Sequence, residues 1–332
     1  GFATLFLARI FVGVGEATLG PAAYSLISDY FPVEKRPRAM SVYTAGMYLG
    51  VGLALIFGGL VINLVGQNGT VDVPIIGPLS AWRAVFVAVG VPGLFFFVLV
   101  RMAVREPPRR EVGTEAVTFA AFRSYFNSRR RLYLGHIFGF AFLVMYSYSF
   151  SAWMPALIVR TYGLSPADSG LWLGVVILLT APVGVMTGSI ISQKLRGSYG
   201  NGAALRVGVI ANFSALIPAM LLTLAPTFWL GLLLIGVTQF LITLPFGVAP
   251  AALHEVTPNQ YRGQIIAIYL FFINLIGLGL GPLFVGLITG CVFGDESMLR
   301  YSMLIIAVVL LPLSGFILAR STITFRDFKE SV

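Results

Sequence analysis

The length of its apolar runs restricts this chain more than any other feature. Nine segments, about residues 2–28, 39–65, 82–104, 132–159, 168–193, 204–224, 228–253, 264–290 and 299–319, carry few charges. Each is long enough for a helix to cross a hydrocarbon core, which takes about 20 residues. Inside lipid every backbone N–H and C=O must be paired within the protein, so such runs are read as helices. Glycines and prolines within them do not argue otherwise, because both are common in membrane helices. Only 11% of the residues are charged, against roughly 25% in a soluble domain. A water-facing surface cannot be covered with so few, and the chain reads as an all-α integral membrane protein.

The cations alternate from loop to loop. Lys35, Arg36 and Arg38 follow the first span; Arg101, Arg105, Arg109, Arg110, Arg123 and Arg129–Arg131 follow the third. Lys194, Arg196 and Arg206 follow the fifth, Arg262 the seventh, and Arg320, Arg326 and Lys329 the ninth. The intervening loops hold only Arg83, Arg160 and Arg300. The positive-inside rule makes the rich set cytoplasmic, with the C-terminus on that side of the plasma (inner) membrane. The net charge of +9 therefore faces anionic membrane lipids, and no nucleic acid is expected. Cys291 is the single cysteine, which excludes an intrachain disulfide or a cysteine-rich metal site. Nine spans with a cytoplasmic C-terminus put the first residue outside. The chain opens at Gly1 directly into an apolar run, and three preceding helices would restore twelve spans and two cytoplasmic ends.

The chain repeats itself. Arg36–Tyr43, RPRAMSVY, parallels Arg262–Tyr269, RGQIIAIY, at an offset of 226. Gly50–Gly59, GVGLALIFGG, parallels Gly277–Gly286, GLGLGPLFVG, at 227. That offset equals six spans and predicts two parallel six-helix halves. The polar stretch 105–131, with Pro107 and Pro108, separates them as a cytoplasmic linker, and 117–127 has the pattern of an amphipathic surface helix. The predicted units are 1–104, the linker 105–131, a second bundle 132–320 and a cytoplasmic tail 321–332.

Arg9–Ala17, RIFVGVGEA, carries R-x-x-x-G-x-G, and SDYFPVEKRPRAM follows at Ser28–Met40. Gly277, Gly281, Pro282 and Gly286 form a glycine-proline run. These segments resemble helix 4, the helix 4–5 turn and helix 11 of the major facilitator superfamily. The resemblance implies two six-helix bundles of which this chain holds helices 4–12. G-E-A followed by D-Y-F-P looks most like the Spinster branch, associated with lysophospholipids and sphingosine phosphate. Organic-anion symporters of hexuronates and aromatic acids share a similar R-x-x-x-G-x-x-E-A, and both readings stay open. The sequence departs from the family in the loop after the fifth span. There Ser192, Gln193 and Lys194 replace the usual Asp-Arg pair.

Arg9 and Glu16 are the charges that need explaining. Seven residues are close to two helical turns, so both lie on one face, about 10 Å apart. The helix ends before Pro32, which puts Glu16 roughly 20 Å from that end, near mid-membrane, where a charge must face protein or a wet cavity. Arg9 offers a permanent cation able to hold a phosphate or carboxylate in bidentate fashion. Glu16 offers a group that can take up and release a proton. The expectation is a proton-coupled transporter of an amphipathic anion, working as a monomer by alternating access; the alternative is a symporter of small organic anions. Tyr146, Tyr148, Trp153, Gln239 and Asn274 are candidate cavity-lining residues. Asp29, Glu34, Arg36, Glu255 and Arg262 are expected to form salt bridges of a cytoplasmic gate. His136 and His254 sit at separate helix ends, a placement that suggests helix-end hydrogen bonding and no metal. Gly46, Gly50, Gly58, Gly59, Gly277, Gly281 and Gly286 are expected to let helices approach closely. No nucleophile or acid–base constellation of an enzyme is visible, and no cofactor is expected.

Overall fold

The computed structural model describes residues 2–32, 35–66, 70–73, 77–104 and 118–328. Every span expected from the sequence is helical. They are α1 (Phe2–Tyr30), α2 (Arg36–Gly66), α3 (Ala81–Ala103), α5 (Arg130–Tyr162), α6 (Pro166–Tyr199), α7 (Ala203–Leu222) and α12 (Leu299–Arg326). The remaining two spans are segmented. One is α8 (Phe228–Thr243) followed, after a non-helical step, by α9 (Ala249–Val256). The other is α10 (Asn259–Phe272) and α11 (Gly281–Leu287), joined and followed by π-helical turns at Ile273–Leu280 and Ile288–Phe293. Among the described residues, five helical stretches are long and apolar enough to cross a membrane, and shorter apolar helices accompany them.

Local chemistry sets the boundaries. Gly163 ends α5 at φ 71°, a conformation that costs a glycine little. Ser165 then caps α6 by accepting from the Asp168 N–H at 3.1 Å, with Pro166 at the first helical position. Thr227 caps α8 in the same way. Pro245 and Pro250, which lack N–H donors, flank the break between α8 and α9. One element was not anticipated from the sequence. Thr70–Val73 (β1) pairs antiparallel with Gly77–Ser80 (β2) between α2 and α3. The linker residues 105–117 and the tail residues 329–332 lie outside the described residues. Within the remainder of the linker, α4 (Phe119–Ser128) forms where the amphipathic pattern placed it.

A single core of buried side chains runs through α5–α12, from Leu132 to Phe325. The helices α1–α3 contribute few members to any core, and most of α1 is exposed. The first half meets the second mainly along α2. From one end of α2 to the other, Ser41 lies against Gly247, Tyr48 stacks on Phe246, Gly52 meets Gly174, and Gly59 meets Ala167. At 1.5 Å per residue this ladder covers about 27 Å. The glycine contacts are close: a Cβ at Gly59 would stand 2.7 Å from the Ala167 carbonyl oxygen. Gly281 likewise lies tight against α5, where a Cβ would stand 2.6 Å from the Met145 carbonyl oxygen. Gly46, Gly50 and Gly58 instead face open space, so helical approach uses only part of the expected glycine set. Gly52 and Gly174 take the remaining role.

Candidate functional site

The end of the bundle that carries Arg36, Arg196 and Arg262 is built twice, by the same rule. Arg36, buried to 6% exposure, donates to Phe31 O at 3.2 Å and to Ser28 O at 3.0 Å. Arg262 donates to Thr257 O at 2.9 Å and to His254 O at 3.1 Å. Ser28, Phe31 and Arg36 each map onto His254, Thr257 and Arg262 at the offset of 226 seen in the sequence. In both halves an arginine side chain thus covers the last carbonyls of the preceding helix. A cation there also meets the negative end of the helix dipole. Main-chain oxygens are thus among the partners of both arginines. Glu255 pairs with Arg196 of α6 at 3.0 Å. Asp29 is half-buried at the end of α1, with no ion pair among the described residues. Glu34 lies outside them.

The two equivalent positions meet. Ser28 Oγ and His254 Nδ1 are 3.5 Å apart across the halves. His254, one residue past the seventh span, is 5% exposed, and its Nε2 has no hydrogen-bond partner among the described residues. Burial first, then the charges of Arg262 and Arg36, lower its pKa to about 3. The sequence reading gave His254 only a helix-end role. Applying the repeat offset to Ser28 leads directly to it. His136 is fully buried, with Nε2 2.9 Å from the Ala249 carbonyl at the start of α9 and Phe140, Tyr269 and Phe325 around its ring. It fastens α5 to the broken span.

Deeper in, aromatic residues of both halves face each other. Tyr48 of α2 stacks on Phe246 at 6.3 Å and 7°, and its hydroxyl faces Ser147 of α5. Tyr24 of α1 packs edge-on to Tyr43 and faces Tyr269 of α10. Tyr148 is 37% exposed on the same side of α5. Asn274 is exposed within the π-helical segment, its amide donating to Leu270 O at 2.9 Å. The other candidate lining residues are used differently. Tyr146 is 1% exposed and packs on Phe150 inside the core. Gln239 is 4% exposed within α8. Trp153 spends its Nε1–H on Pro282 O at 2.9 Å, joining α5 to α11. Four adjacent polar residues at 146–149 must point around the helix, and only the packing decides which of them face the core.

Arg9 lies exposed on α1, surrounded along the helix by exposed Phe6, Ile10, Phe11 and Val12. Its helix continues unbroken through residue 16 to Tyr30. The Glu16 side chain lies outside the described residues.

Residues 1–282 match the family profile of the Major Facilitator Superfamily. The chain is 23% identical over 306 residues to the probable L-galactonate transporter of Escherichia coli K12, covering 86% of this chain and 63% of that protein. It is 28% identical over 313 residues to protein spinster homolog 1 of Homo sapiens, covering 87% of this chain and 56% of that protein. The chain thus spans less than two thirds of the length of these two relatives. Its fold superposes with a TM-score of 0.70 on the crystal structure of a bacterial homolog of the human lysosomal transporter Spinster, inward-facing and unoccupied. That comparison has 20% identity and covers 100% of this chain and 80% of the other.

Proposed function

The chain belongs to the Major Facilitator Superfamily, and from that premise we propose that it serves a secondary active transporter of an amphipathic anion, working by alternating access. The reading rests on one observation above all: a permanent cation, Arg9, is exposed on an otherwise apolar stretch of α1. Such a cation is costly in lipid and tolerable in a wet cavity with an anionic partner. Aromatic and apolar surface from Tyr48, Phe246 and Tyr148 suits an acyl chain or sphingoid tail better than a polyol. The ligand class is therefore a lysophospholipid or sphingosine-phosphate type of lipid. Arg9 holds its headgroup, Glu16 on the same helical face exchanges the driving proton, and the arginine-rich end faces the cytoplasm of the plasma (inner) membrane.

A second reading, a symporter of small organic anions, draws on the similarity to the L-galactonate transporter. The two separate in one assay. Proteoliposomes are loaded with labelled lysophospholipid or with galactonate or hexuronate, and flux is followed with and without a pH gradient. Lysophospholipid movement driven by the gradient is expected, with Arg9→Gln losing flux and Glu16→Gln losing its dependence on the gradient. Full gradient-driven flux in Glu16→Gln would remove the coupling role. Movement of the sugar acids alone would select the second reading.

A further inference from the structure

We propose that His254 is a proton-binding switch between the two halves: neutral, it lets the arginine-rich end close, and proton uptake at its Nε2 opens that end. We assign the His254 tautomer from the two distances at Ser28. The single Ser28 hydroxyl proton goes to Tyr24 O at 2.8 Å. Facing His254 at 3.5 Å, the Ser28 oxygen can then only accept. With Nδ1 assigned the ring proton, Nε2 is a lone pair, buried and without a hydrogen-bond partner among the described residues. A buried, unpartnered base at a joint between moving parts is a proton acceptor in waiting.

The charged groups described near the ring disfavour its charged form while the end is closed. From α1 comes neutral Ser28, followed in the chain by half-buried Asp29. From α2 comes the guanidinium of Arg36, and from α10 that of Arg262. On its own helix the next residue, Glu255, is engaged by Arg196 of α6. Both flanking guanidiniums are held by pairs of carbonyls and cannot swing away without exposing them. A third cation between them is relieved only by separation of the halves and entry of water. The sign follows. The closed state holds His254 well below its ordinary value of 6.5. Closure is therefore fully favoured above about pH 6.5 and weakens as pH falls, by up to about tenfold per unit. The repeat supplies serine at the equivalent position, so only one half titrates.

The proposal rests on the reading of two mobile halves but not on Glu16 or on substrate identity. The test is made in a Cys291→Ser background with spin labels at Lys35→Cys and Gln260→Cys, both exposed. The protein is placed in nanodiscs without substrate, and label distances are recorded from about pH 8 to about pH 5, the range in which a free histidine titrates. The separated population should grow on acidification, and the same growth should persist with Glu16→Gln. With His254→Gln, which keeps a donor for Ser28, the distances should not respond to pH. A response unchanged in His254→Gln, or wild-type distances indifferent to pH, overturns the proposal. Should His254→Gln not fold, ¹⁵N labelling of the two histidines decides. The Nδ1–H tautomer for His254 at neutral pH supports the proposal, and an Nε2–H or charged ring refutes it. Failure of transport alone would not affect either readout.

Discussion

Gly174→Ala adds one methyl group where α6 touches α2. Its Cβ would stand 2.6 Å from Ile56 Cγ1, 2.7 Å from Gly52 O and 3.0 Å from Ile56 N. The first obstacle is the end of a side chain and can turn away; the other two are backbone. The Gly52 oxygen is about 0.7 Å short of ordinary contact, taking 3.4 Å as the near limit. The helices must part by about that much over the whole ladder, since Gly59 and Ala167 are equally tight further along. Over-packing of this kind costs about 1–3 kcal/mol. Here the cost falls on the contact between halves, so closure weakens by roughly 5- to 150-fold. Alanine is otherwise the better helix former, which makes Gly50→Ala the control. That position is on α2, exposed, with nothing within 4 Å of the added atom, and it should leave the protein unchanged or slightly more stable. Spin-label distances across α2 and α6, with melting in detergent, give the readout. If Gly174→Ala behaves like Gly50→Ala in both, the ladder is not the contact that holds the halves together.

The paired arginine caps predict paired effects. Arg36→Gln and Arg262→Gln each leave two carbonyls without a cationic donor, and each should lower stability by about 2–4 kcal/mol in chemical denaturation. Trp153→Phe keeps the ring but loses the bond to Pro282 O, a loss of about 1 kcal/mol, seen as a lower melting temperature with α5 and α11 still packed. At the linker, Tyr125 shares a 2.7 Å hydrogen bond with Tyr133 and stacks on Tyr261. Burial, with the Tyr133 bond adding to it, raises the pKa of Tyr125. Docking of α4 therefore favours the neutral phenol. It should hold up to about pH 10, the ordinary value, and weaken above it, with Tyr125→Phe removing that alkaline step from a fluorescence titration of α4.

The spans were legible because a chain in lipid must close its own hydrogen bonds, and the apolar lengths then leave little choice. The repeat was legible because RPRAMSVY and RGQIIAIY conserve a turn and the helix start after it, where local sequence dominates. Which polar residue faces which surface was not. Tyr146 and Tyr148 are two apart on a helix with little amphipathic contrast, and the core takes one while the other stays 37% exposed. Carboxylates near arginines suggest ion pairs at the arginine-rich end, and Glu255 is found paired there with Arg196. Carbonyls exposed by a helix terminus are equally good partners for a guanidinium, but sequence composition does not display them. The β1–β2 pairing hides for a related reason, since TVDV and GPLS are only four residues each.

The way these contacts divide between halves bears on how freely the molecule can change state. The arginine caps at 36 and 262 each close on carbonyls of their own half. The ion pairs of Arg160 with Glu296, Arg196 with Glu255 and Arg326 with Asp327 all lie within α5–α12 and the end of its last helix. None of these need break when the halves separate. Contacts between the halves include a long Ser28–His254 approach, one aromatic stack, the Tyr48 hydroxyl against Ser147 and a row of glycines against backbone. Such contacts are individually weak, of order 1 kcal/mol or less apiece. A transporter needs two arrangements within a few kcal/mol of one another, so that a ligand or proton can shift the balance. On the proposed reading of this chain, polar bonds closed within each half and packing contacts between them keep the two arrangements close in energy, and His254 is the proposed proton site that shifts the balance.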